Sequence, residues 1–158
     1  MKTTLIALIA LLLAACSAAP YQRAQISEDV TYKPWKEWEA IDSVRFPAKS
    51  SGSISSCVAE SVTSYGSQVI AHADSNKVIA HGLTYFPMTQ HVDHALRFTL
   101  IVTPAEYAFT RLEQGMSSSA IGNNNRFYPV GAFDGGGGAP AIAALKQIAN
   151  DIDRCRSR

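Results

Sequence analysis

The stretch ALRFTLIVTPAEYAFTRLEQG, residues 95–115, decides how the chain is read. Its first half alternates. Leu96, Phe98, Leu100 and Val102 fall on one side and Arg97 and Thr99 on the other, the period-two pattern of a half-buried strand. In its second half, Thr103, Pro104 and Glu106 have the spacing of a helix cap, a first-turn proline and a capping-box carboxylate. Ala105, Ala108, Phe109 and Leu112 then form an apolar helical stripe, and Gly115 ends it. The stretch predicts a strand over 95–102 followed by a helix over 104–115.

Two more segments frame it. Residues 69–86 read as a hairpin around the turn-rich Asp74-Ser75-Asn76-Lys77. If Ala73 faces Val78, then Ala71, Ala80 and Gly82 share a small-residue face that lets a helix approach closely. Ile70, His72, Ile79, His81, Leu83 and Tyr85 share the other face, and which one is buried stays open. Residues 53–65 predict a helix capped by Ser53 and stopped by Gly66, with Ile54, Cys57, Val58, Ser61, Val62 and Tyr65 on one stripe. Pro140 opens a last helix with Ile142, Leu145, Ile148, Ala149, Ile152 and Cys155 along its stripe. Residues 116–138 look irregular, with Phe127, Tyr128, Val130 and Phe133 able to add one short strand. The expected class is α+β: a small two-layer domain with an antiparallel sheet of three or four strands, packed by N- and C-terminal helices.

The amino end is of another kind. Lys2 precedes an unbroken apolar run over residues 5–15, too short to span a bilayer at ~20 residues but suited to a secretory signal. The run ends Leu13-Ala14-Ala15-Cys16, which closely resembles the lipobox of bacterial lipoproteins. That resemblance covers only the leader. It implies cleavage after residue 15 and a Cys16 carrying a diacylglyceryl thioether and an N-acyl chain such as palmitate, enough lipid for stable anchoring. With Ser17 rather than an aspartate next, it also implies the outer membrane, facing the periplasm, rather than the inner one. Residues 16–33 are polar and aperiodic and read as a tether reaching ~20–25 Å. Residues 34–158 form the single domain.

The chain has 14 Lys and Arg against 13 Asp and Glu, and loss of the leader removes Lys2. The mature body is neutral, which argues against nucleic acid as a partner. With Cys16 lipidated, Cys57 and Cys155 remain. An exported compartment is oxidising, and both lie on apolar helix stripes, so they are expected to pair as a disulfide. The rival reading is a free catalytic cysteine with a histidine base.

Two constellations are candidates for chemistry. Trp35 and Trp38 open an arm over 34–47 and, with Ile41, are spaced three apart, as on a short helix. The arm either docks on the body or offers an aromatic platform to a glycan or protein partner. His91, Asp93 and His94 form the one ligand-like cluster, able to serve a metal site or an envelope enzyme if further ligands converge. Asp134 and the four glycines after it precede a helix but lack the Gly-Lys-Ser/Thr ending of a nucleotide loop. No His-Glu-x-x-His, Cys-x-x-Cys, Gly-x-Ser-x-Gly or Ser-x-x-Lys motif occurs, so no catalytic set and no cofactor are expected. The sequence thus predicts a non-enzymatic lipoprotein that binds or scaffolds an envelope protein or a peptidoglycan component.

Overall fold

The computed structural model describes residues 26, 28–64, 66, 68–89, 92–116 and 126–158. The leader, Cys16, most of the expected tether and His91 lie outside the described residues.

The sheet is larger than the three or four strands expected. Among the described residues, seven antiparallel strands run β1 (Asp29–Trp35), β2 (Trp38–Pro47), β3 (Ile70–Ala73), β4 (Val78–Thr89), β5 (Val92–Val102), β6 (Glu106–Met116) and β7 (Tyr128–Pro129). Their spatial order is β1-β2-β6-β5-β4-β3, with β7 beside β6. Among the described residues two helices, α1 (Ile54–Ser61) and α2 (Gly138–Arg156), complete the α+β body.

The helix expected over 104–115 is strand β6. Thr103 does reach Glu106, as the capping box foresaw: the Glu106 N–H donates to Thr103 Oγ1 at 3.2 Å. The Thr103 N–H also donates to the Glu106 carbonyl at 2.9 Å, and together these bonds close a hairpin turn instead of starting a helix. Tyr107 and Phe109 face the core, and then one extra residue shifts the phase. Arg97 pairs with Glu113 and Thr99 with Thr110, so two steps on β5 match three on β6. This is a β-bulge, and it moves the inward positions from odd to even numbers. Phe109 and Leu112 are therefore three apart, a helical spacing produced by a bulged strand.

The helix expected through Trp35, Trp38 and Ile41 is likewise absent. Trp35 and Trp38 are cross-strand partners at the tip of the β1–β2 hairpin, joined by Lys36 and Glu37 with Lys36 at φ 51°. Strand β1 begins at Asp29, inside the segment read as tether.

Strand β2 also carries an extra residue, Asp42, since Thr31 pairs with Ser43 but Tyr32 with Ile41. The β2–β6 ladder ends at the Ser43–Thr110 pair, where both bulges begin. The strands part there, and residues 128–132 enter the gap. Val130 accepts from the Ile41 N–H at 2.9 Å and donates to the Leu112 carbonyl at 3.3 Å, and the Ala132 N–H reaches the Glu39 carbonyl at 2.9 Å.

The helices cover one face. The core joins Val44, Phe46, Val78, Phe86, Leu96, Phe98, Leu100, Tyr107 and Phe109 to the stripe Ala141, Ile142, Leu145, Ile148 and Ile152 of α2. Ala73 does face Val78, and on β4 the small-residue side is the buried one, at Val78, Ala80 and Gly82, whereas Ala71 and Ala73 on β3 are exposed. At Gly82 a Cβ would collide with the Phe98 ring and with Val62. A bulge in β3 sets Ile70, not Ala71, opposite Ala80. Helix α1 is shorter than expected, because Val62 turns extended and the Thr63 carbonyl takes the Leu83 N–H on the edge of β4. Cys57 and Cys155 form a disulfide that ties α1 to α2 with Cα atoms 5.5 Å apart.

Candidate functional site

The face away from the helices carries the polar residues. Directly opposed residues on antiparallel strands share a face, with Cβ atoms about 5 Å apart. The pairings His81–Thr99, Thr99–Thr110, Thr110–Ser43 and Ser43–Thr31 thus set one row across five strands. Hydrogen bonds join its residues in two groups, and Ser43 and Thr99 are buried within it. His81 Nδ1 meets Thr99 Oγ1 at 3.2 Å, Thr110 Oγ1 donates to the Thr99 carbonyl at 3.4 Å, and the Ser43 and Thr31 hydroxyls lie 2.7 Å apart. Beside it run Ile79, Ile101 and Ala108 on one flank and Leu83, Arg97 and Glu113 on the other. Tyr85, 56% exposed, begins the next row.

A cavity of about 300 Å³ opens on this face where the bulges lie. Lys33, Arg97, Arg111, Glu113 and Thr99 line it. Arg111 sits at φ 51°, in the left-handed region that side chains other than glycine rarely adopt. It is the residue at which β6 changes neighbours, from β2 to β7. The Arg97 guanidinium lies 3.6 Å from the centroid of the Phe127 ring, a cation–π contact that fixes its plane. Lys33 pairs with Asp42 at 3.0 Å. Three cations against one lining carboxylate make the cavity positive in a body that is neutral overall.

The tryptophans border the same region. Trp35 lies two residues beyond Lys33 on β1, hence on the same side and roughly 7 Å further along. The two indoles meet edge to face at 6.4 Å, and Trp38 packs edge to face on Phe133 at 5.4 Å. Lys36 Nζ lies 5.8 Å from the Trp35 centroid. Trp38 is thus held against the loop after β7, while both indoles remain half-buried.

The histidine cluster is not assembled among the described residues. Asp93 and His94 are neighbours on β5 and point to opposite faces. Asp93 is exposed, whereas His94 is 5% exposed in the core, its ring edge to face with Phe86 at 5.8 Å. His72 pairs with Asp74 at 3.0 Å beside the β3–β4 turn, and His81 meets Thr99 instead, so neither joins the cluster. Among the described residues no three His, Cys, Asp or Glu side chains are grouped to hold a metal ion. The glycine run closes a loop: the Gly131 N–H reaches the Gly136 carbonyl at 3.1 Å, as does Gln114 Nε2 at 3.0 Å.

The chain matches no protein-family model, no curated protein and no solved structure.

One cluster escaped the sequence reading. Tyr107 donates to Asp153 Oδ1 at 2.6 Å and accepts from Arg156 NH1 at 3.0 Å. The Lys49 N–H and the Ser50 hydroxyl also reach Asp153 Oδ1, at 3.0 and 2.9 Å. Burial, with the Asp153 carboxylate, pushes the Tyr107 hydroxyl up to about 12 against the pull of Arg156. Burial raises the Asp153 carboxyl, but the bonds from Tyr107, Lys49 and Ser50 outweigh it and hold the group below the usual carboxylate value. These residues fasten the end of α2 to β6. A faint signal existed in the sequence, since Arg156 falls four residues after Ile152 on the buried stripe of α2.

Proposed function

We propose that this chain is an outer-membrane lipoprotein facing the periplasm, anchored through Cys16, whose body binds or scaffolds a cell-envelope component without catalysing a reaction. The observation that carries the reading is the Cys57–Cys155 disulfide. Such bonds persist where the surroundings oxidise thiols. The third cysteine directly follows Leu13-Ala14-Ala15 at the end of an apolar leader, where a lipid anchor would be attached. The open sheet face supplies the contact surface, because it gathers the hydroxyl row, the positive cavity and the half-buried indoles. Its side chains are hydrogen-bonding and stacking groups, suited to holding a ligand.

The test is metabolic labelling with palmitate, followed by separation of inner and outer membranes. The wild-type chain is expected to take up label and travel with the outer membrane. A Cys16→Ser variant is expected to lose both. An unlabelled product with its leader intact in the cytosol refutes the anchoring. For the contact surface, a photo-crosslinker at Thr110 is expected to capture an envelope component, and one at exposed Gln147 on α2 is not.

A further inference from the structure

We propose that His94, Met88 and Met116 form a binding site for a soft monovalent metal ion, Cu(I) or Ag(I), at the end of the sheet beside the start of α2. The site lies on the helix side of the sheet, so it stands or falls independently of the contact surface on the open face.

Three observations converge there. The first is a pair of orphaned atoms. His94 is 5% exposed and the one buried histidine among the described residues. Its Nδ1 is buried without a hydrogen-bond partner, and so is Gln114 Oε1. Gln114 sits opposite Leu96, two residues along β5 from His94 and on the same face. Buried polar atoms are nearly always hydrogen-bonded, and two neighbouring exceptions point to a ligand. The second is the placing of sulfur. The chain has three methionines, and apart from Met1 both stand beside His94. Met116 is its direct partner on β6, and Met88 lies two residues past Phe86, its direct partner on β4. Opposed side chains on antiparallel strands have Cβ atoms about 5 Å apart, and diagonal neighbours about 7 Å. The third is backbone geometry. Met88 is the extra residue of a bulge, since Pro87 pairs with Asp93 but Thr89 with Val92. Bulges re-aim side chains and recur beside functional sites. Met88 is aimed at Gly137, which has a φ of 84°. A Cβ on Gly137 would lie 2.9 Å from Met88 Sδ and 2.5 Å from Gln114 Oε1. The thioether and the orphaned amide oxygen thus face one space, kept open by a residue without a side chain.

The donor set selects the ion. Thioether sulfur is a soft ligand and favours Cu(I), and a neutral imidazole ligates through the nitrogen that carries no proton. Two thioethers and one imidazole make an uncharged set of three. Zinc takes four ligands in its structural sites, and the carboxylate nearest in sequence, Asp93, points to the opposite face. The Phe86 ring, edge to face with His94 at 5.8 Å, holds the imidazole in place, and the unbranched methionines have the rotational freedom to bring sulfur to it. Packing alone does not account for the arrangement. A thioether placed to fill the core would be covered, yet Met116 is 50% exposed, which gives an ion a way in.

The experiment uses the full-length chain in detergent micelles, unreduced, with any free thiol capped by N-ethylmaleimide so that no cysteine binds metal. Ag(I), which needs no reductant, is titrated by calorimetry, with Zn(II) as the control ion. One Ag(I) is expected to bind per chain, and Zn(II) at least about tenfold more weakly. Met88→Leu and Met116→Leu nearly conserve volume, so each should keep its melting temperature in the absence of metal. Each is expected to lower Ag(I) affinity by about tenfold or more, since the loss of even an outer-shell partner costs a metal site that much. Ag(I) should also raise the melting temperature of the wild type, as a ligand of the folded state does, and raise that of His94→Phe less or not at all. In methyl NMR the Met88 and Met116 signals should shift together as Ag(I) is added. The absence of Ag(I) binding overturns the proposal. So does Zn(II) binding as tightly as Ag(I), or Ag(I) binding untouched by both leucine variants.

Discussion

Replacing both Cys57 and Cys155 by alanine removes a crosslink between residues 98 apart in sequence. In the loop-closure model a crosslink of this span restricts the unfolded chain by about 4.7 kcal/mol. The folded state also loses the tie between α1 and α2. An eight-residue helix does not stand alone in water, and α1 buries only Cys57 and Val58. The variant should therefore lose about 4–5 kcal/mol. Urea unfolding followed by the fluorescence of Trp35 and Trp38 measures this directly. With a slope of about 1.5 kcal/mol/M, the midpoint should fall by roughly 3 M. The melting temperature should fall by roughly 15 °C. Dithiothreitol should move the wild-type midpoint to that of the variant and leave the variant unchanged. A shift of less than about 1 M at equal slope would refute the reasoning. Two reactive thiols in the folded, unreduced protein would do so as well.

Four further outcomes are expected. Gly82→Val forces a side chain against the Phe98 ring and Val62 and should cost about 1–3 kcal/mol in chemical denaturation. Tyr107→Phe strips Asp153 and the buried Arg156 of a shared partner and should cost about 1.5–3 kcal/mol by the same measurement. The raised Tyr107 value stabilises the fold fully below pH 10, and this contribution should fade as pH climbs to about 12. A stability profile of Tyr107→Phe should lack that alkaline slope, and an unchanged slope rejects the assignment. The lowered Asp153 value acts at the other end: its contribution is present above the ordinary carboxylate value and is lost as pH falls below it, so Asp153→Asn should flatten the acid limb of the same profile.

What the sequence revealed depends on whether a strand kept its phase. Strand β5 alternates without interruption over Leu96, Phe98, Leu100 and Val102, and it was legible. Helix α2 keeps one stripe from Ala141 to Ile152, and it too was legible, as was the Cys57–Cys155 pair at its end. The errors fall at bulges and turns. In β6 the extra residue at Arg111 puts Phe109 and Leu112 three apart, which is a helical interval. At the first hairpin a two-residue turn puts Trp35 and Trp38 three apart, with the same effect. Thr103-Pro104-Ala105-Glu106 offers a cap that suits a helix start and a strand reversal alike. The distinction came from tertiary pairing, since β5 and β2 both needed β6 as a neighbour. The open-face cavity was illegible for the same reason. Lys33, Arg97 and Arg111 are far apart in sequence and meet only through strand register.

The sheet's order also bears on how the chain assembles. Hairpins β1–β2, β3–β4 and β5–β6 each close locally, but β2 finds its place only beside β6, across a stretch that includes α1, β3, β4 and β5. Residues 128–132 must then thread between those two strands. A polypeptide synthesised amino end first would hold its opening hairpin unpaired on one side until the middle of the chain had emerged. Such distant pairings slow folding, because the entropy of closing the large loop is lost before the contacts form. The sticky interval is the one in which a bystander strand could occupy the vacant berth, and an escort that shields the edge of β2 would matter most then.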